Sequence, residues 1–143
     1  MQGCAWGVRG RPGARGGEGR EKAREYLAQV KLLEYKDAIA GSLPYGIQRK
    51  LEIARAIATR PKLLLLDEPA AGMNNEETME LIEFIRNIHR KNETNMAIIL
   101  IEHHLEVVMN LCSDITVLNL GSVLARGNPE EVQNNPAVIK AYI

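Results

Sequence analysis

Apolar positions along the chain recur at spacings that separate helices from strands, and they begin abruptly at residue 21. From Glu21 to Tyr35, Ala23, Tyr26 or Leu27, Val30 and Leu33 share one face opposite the charges, which predicts an amphipathic helix ended by Gly41 and Pro44. A second helix is expected from about Gly46 to Thr59. Leu51, Ile53, Ala54, Ile57 and Ala58 form its apolar face, and Pro61 stops it. Lys62–Asp67 is a short unbroken apolar run, the pattern of a parallel strand covered on both faces. A helix follows over Glu76–Lys91, capped by Asn74 or Asn75, with Met79, Ile82, Phe84 or Ile85, and Ile88 inward. Met96–Ile101 reads as a second strand and Leu105–Leu111 as a helix. Ile115–Leu120 and Val123–Arg126 flank Leu120-Gly-Ser122, a hairpin, and Pro129 and Pro136 each open a short helix.

Helices, then strand–helix–strand–helix, then a hairpin indicate an α/β fold with a parallel core. Composition changes this picture at one end. Residues 1–20 hold seven of the twelve glycines and four arginines against one glutamate, so the segment is expected to be disordered. The formal net charge of zero argues against nucleic acid as a partner. Two cysteines, Cys4 and Cys112, make no disulfide framework, and a reduced intracellular chain is expected. No apolar run approaches the roughly 18 residues of a membrane span. No direct membrane insertion is therefore expected, and no apolar stretch suggests a secretory signal.

Three segments carry candidate chemistry. In Leu63–Pro69 (LLLLDEP), a carboxylate stands at the carboxyl end of a strand, where α/β sheets bind ligands. Asp67 can hold Mg²⁺ through its water shell, and Glu68 can polarise a water for attack on a phosphate. In Ser42-Leu-Pro-Tyr-Gly-Ile-Gln, a glycine-containing turn runs into a helix whose N-terminal N–H groups suit an anion. Gly46 there is expected to permit close approach of a phosphate. In Ile101-Glu-His103-His104, His103 stands just past the second strand, where it can hydrogen-bond a γ-phosphate. Each segment also has a plain structural reading: solvated acids before a proline, an ordinary helix start, and a His pair at a helix start.

Their order and spacing closely resemble the second half of an ATP-binding cassette (ABC) transporter nucleotide-binding domain, a P-loop NTPase fold. Leu43–Ile47 lines up with the family's signature, Leu63–Asp67 with Walker B, Glu68 with the catalytic glutamate, Ala70–Asn74 with the D-loop and His103 with the switch histidine. The wording LPYGIQRKLEIARAIA, DEPAAGMN, IEHHLEVVMNLCSDITVLNLG and GNPEEVQNNPAVIKAYI is similar to the branched-chain amino-acid importer group. Lipopolysaccharide-export ATPases resemble it less closely.

The resemblance implies a helical subdomain with the signature over residues 21–60, and Walker B, D-loop, switch histidine and hairpin over 61–143. It leaves residues 1–20 outside. It implies catalytic Glu68 and His103, Mg²⁺ at Asp67, and contacts to a partner's ATP from Leu43, Pro44, Tyr45, Gly46 and Ile47 together with Asn74. ATP and Mg²⁺ are then the cofactors. A second ABC ATPase subunit and transmembrane permease subunits are the partners, and the place of action is the cytoplasmic face of the membrane. Pro44, Ile47 and Asn74 depart from the general family pattern as this group does.

No Gly-x-x-x-x-Gly-Lys-Ser/Thr loop occurs in the 143 residues, and the glycine-rich tract supplies none. A partial, truncated fold without its Walker A half, inactive alone, is therefore expected. The alternatives are a non-catalytic module docking on a complete ABC ATPase subunit, and a soluble ABC or lipopolysaccharide-export ATPase.

Overall fold

The computed structural model describes residues 15–91 and 96–142. The chain divides into two compact units, residues 1–43 and 44–143.

In the first unit, helix α1 spans Arg15–Gln29, and short 3₁₀ turns follow at Leu33–Tyr35 and Ala40–Ser42. Residues 15–20 are thus helical, which corrects the expectation of disorder there; residues 1–14 of that tract lie outside the described residues. Helix growth costs little once a nucleus exists, and the Glu18–Lys22 pair at 3.0 Å supports the added turn. The other end differs as well. α1 stops at Gln29, and Lys31 takes a left-handed φ of 59°. This break shifts the helical phase, so Leu32 is buried while Leu33 is 40% exposed.

The second unit begins with α2 (Tyr45–Ile57), then β1 (Leu63–Asp67), α3 (Asn75–Lys91), β2 (Ala97–Ile101) and α4 (Leu105–Leu111). The hairpin β3 (Ile115–Asn119) and β4 (Ser122–Gly127) follows, with α5 (Pro129–Gln133) and α6 (Pro136–Tyr142). α2 is tied to α3 by Lys50 Nζ donating to Glu80 Oε2 at 2.6 Å.

β1 and β2 pair in parallel from Leu63↔Ala97 to Asp67↔Ile101. On one face of β1 Leu64 and Leu66 are buried, and α3, the crossover between the strands, buries Leu81, Ile82, Phe84, Ile85 and Ile88. Met79, expected inward, is exposed, and Leu81 takes its place. The pattern of strands covered on both faces is not realised: Leu63, Leu65, Ile99 and Ile101 are exposed, as expected for a partial fold, and among the described residues the parallel sheet has two strands.

The hairpin is antiparallel with a bulge at Val117/Leu118. Its turn residues Leu120 and Gly121 both have positive φ, 49° and 79°, as a two-residue type I′ connection requires. Ile115, Val117, Val132 and Val138 form a small core under it, with Cys112 packed alongside. Burial pushes the Cys112 thiol above its ordinary value, so it is not an activated nucleophile. Asn128 and Glu131 exchange a capping box at the start of α5. No helix of the described residues is long and apolar enough to cross a membrane.

Candidate functional site

Asp67 ends β1 with an exposed carboxylate, a hard oxygen donor suited to Mg²⁺. The strand ladder runs one step further, with Glu68 N–H donating to Ile101 O at 2.8 Å. At Glu68 the backbone turns into the left-handed region, φ 43°. A side chain there costs on the order of 1–3 kcal/mol and occurs where surrounding structure enforces it. The turn swings the Glu68 carboxylate out of the strand toward the end of β2. There Oε1 lies 3.5 Å from His103 Nδ1, both side chains about half exposed at 52% and 59%. Glu68 and His103, 35 residues apart in sequence, are thereby brought together.

Glu102, to which no role was given from sequence, organises the ground between them. Its side chain has 0% exposure. Oε1 accepts from Ala70 N–H at 3.0 Å. Oε2 accepts from the N–H groups of His103 at 3.1 Å and His104 at 3.4 Å, and meets His104 Nδ1 at 3.1 Å. Burial alone would push this carboxyl up. The Ala70 N–H, the His104 ring and the two histidine N–H groups outweigh it and hold Glu102 below the ordinary glutamate range. The signal in sequence was a lone acid between an apolar strand and a histidine pair.

The His103 and His104 rings stand 4.3 Å apart, tilted by 35°. With Glu102 they form a group whose ligand atoms all lie within 4.8 Å of one another. Glu102 Oε2 is already committed to N–H donors, which disfavours a transition-metal site there.

Tyr45, at the start of α2, is tied to the loop after β1. Leu43 closes the 3₁₀ turn at the end of the first unit and is buried. Pro44 precedes α2 as its N-cap and offers no side-chain cap, while its carbonyl accepts from the N–H groups of Ile47 and Gln48. Tyr45 Oη donates to Ala71 O at 3.1 Å, and Arg49 Nε donates to Tyr45 Oη at 3.1 Å. Gly46 is buried, but a Cβ there would meet Glu77 Oε1 at 3.6 Å, an ordinary contact. The missing Cβ therefore faces the Glu77 side chain of α3.

Asn74 caps α3. Its Oδ1 accepts from Glu77 N–H at 2.9 Å, and Glu77 Oε2 accepts from Asn74 N–H at 3.1 Å. The loop over residues 70–74 thus lies between the glycine turn and the Glu68–His103 pair, held by Tyr45 at Ala71 and by Glu102 at Ala70.

Comparison with known proteins shows which families the chain resembles. The profile of the family "ABC transporter" matches residues 7–71, reaching into the glycine-rich tract that the sequence reading left outside. The profile "Branched-chain amino acid ATP-binding cassette transporter" matches residues 122–143. The chain is 48% identical over 126 residues to the high-affinity branched-chain amino acid transport ATP-binding protein LivG of Salmonella typhimurium, covering 88% of this chain and 49% of LivG. BraF of Pseudomonas aeruginosa, named for the same role, is 47% identical over 126 residues, with coverage of 88% and 49%. The lipopolysaccharide export system ATP-binding protein LptB of Haemophilus influenzae is 29% identical, with coverage of 87% and 50%. Among solved structures, MJ1267, an ATP-binding cassette of an ABC transporter, superposes with a TM-score of 0.77 at 31% identity, covering 88% of this chain and 50% of that one. The chain spans about half the length of the relatives it matches. The fold is that of the ABC ATPases, a P-loop NTPase fold.

Proposed function

Because the chain belongs to the ATP-binding cassette transporter family, we propose that it serves in the ATP-hydrolysing subunit of an importer, and specifically a branched-chain amino-acid importer. The relatives named for amino-acid transport stand at 47–48% identity and LptB at 29%, which favours amino acids over lipopolysaccharide export. The observation that carries the chemical reading is the Glu68 carboxylate at the end of β1, turned out of the strand to within 3.5 Å of His103.

In this reading the reaction is ATP + H₂O to ADP + phosphate. Glu68 accepts the proton of the attacking water through its exposed carboxylate. His103 donates a hydrogen bond toward the terminal phosphate. Asp67 would hold Mg²⁺ through water, and the ion when bound offsets phosphate charge. Leu43, Pro44, Tyr45, Gly46 and Ile47 present the start of α2 to the nucleotide of a second ATPase subunit, where the helix end favours anions. Asn74 orders the 70–74 loop as a helix cap rather than by offering a free side chain. Permease subunits would hold the protein at the cytoplasmic face of the membrane.

The 143 residues contain no Gly-x-x-x-x-Gly-Lys-Ser/Thr loop, so the backbone cradle and lysine for the phosphates have to come from elsewhere. The chain by itself is expected to release phosphate from ATP at the buffer rate. Mixed with a complete ATP-binding subunit of the same family, it is expected to cosediment with that subunit in ATP and not without it. Association that ignores ATP, or none at all, would remove the proposed role.

A further inference from the structure

We infer that Glu102 is a positioning residue, whose carboxylate bridges the start of the 70–74 loop to the histidine turn and thereby sets where His103 stands beside Glu68. The inference rests on the reading of Glu68 and His103 as the hydrolysis pair. Glu68 and His103 are both about half exposed, so packing alone does not fix their separation. Glu102 has a fully buried side chain and spends both oxygens on N–H donors, one from Ala70, 32 residues away, and the others from the adjacent histidines.

Four consequences follow from that geometry. The backbone of His103 is anchored directly, by its N–H on Oε2. Its ring is anchored indirectly, because it lies against the His104 ring and Oε2 holds that ring through Nδ1. An ionised carboxylate only accepts, so His104 Nδ1 must carry a proton. Finally, Ala70 and Ala71 are held from opposite sides, Ala70 N–H by Glu102 and Ala71 O by Tyr45, which joins the glycine turn to the histidine turn through two adjacent residues. Glu102 touches no reacting atom. It acts through His103 and the loop.

The test uses the full chain, ¹⁵N-labelled, and reads the imidazole nitrogens and the backbone amides. The unmodified protein is expected to show His104 in the Nδ1–H form and slowed amide exchange at Ala70 and His103. In Glu102→Gln one amide oxygen cannot serve both segments. Either His104 reverts to the Nε2–H form or Ala70 exchange quickens about tenfold, and the His103 ring signals move with it. His104 as Nε2–H in the unmodified protein overturns the inference, whether or not the variant folds. So does a Glu102→Gln chain whose signals at Ala70, His103 and His104 match the unmodified ones. No nucleotide enters these readouts, so their failure leaves the proposed ATPase role standing. Loss of ATP-dependent association would do the reverse.

Discussion

Glu68 and Glu102 flank the same histidine turn in opposite surroundings, one half exposed at a left-handed backbone position and one buried among N–H donors. The buried one makes stability depend on pH. Its folded-state pKa is depressed, so its contribution is fully present above the ordinary glutamate value and is lost as pH falls through the lower folded one. Denaturant titrations across pH should therefore show stability falling below about pH 4. Glu102→Gln should be less stable near neutrality and flatter through that acid window; an unchanged acid slope would refute it. Asp67, Glu68 and His103 could be singled out as candidates because each has a residue type that matters chemically. Glu102 could not, since its importance lies in which N–H groups fold around it, and a glutamate beside histidines looks alike whether buried or solvated.

At the scale of elements, strands, helices and the hairpin followed from periodicity and from Pro and Gly, because those signals are local. The limits of α1 did not. Lys31 breaks the helix without any sequence mark, and the Glu18–Lys22 pair extends the helix into a glycine-rich stretch. The hairpin turn offers a sharper test. Leu120 holds φ 49° and is almost wholly exposed, a costly conformation for leucine that asparagine tolerates. Leu120→Asn is expected to raise stability by about 1 kcal/mol in urea titrations, and a loss would contradict the turn assignment. Asn128→Ala removes the α5 capping box and should cost about 1 kcal/mol by the same measurement.

For the whole molecule, the open face of the parallel sheet matters most. An unbroken apolar run such as Leu63–Leu66 reads as a strand buried on both sides, yet Leu65 is 67% exposed and Ile99 53%. A run of that kind records what the strand can be buried against, not how many layers cover it. An apolar face of this sort should bind an environment-sensitive hydrophobic dye. The pair Leu65→Thr and Ile99→Thr, which keeps strand propensity, should lower dye fluorescence with little change in Tm. Undiminished fluorescence would mean that other surface dominates.

In the proposed function Glu68, turned out beside His103, takes the proton of the attacking water. Steady-state phosphate release from the assembled transporter containing this chain, unmodified and as Glu68→Gln, tests this role. Glutamine keeps the shape and cannot take the proton, so turnover is expected to fall by about 10² or more while ATP-dependent association persists. Turnover that survives Glu68→Gln undiminished would contradict the assignment.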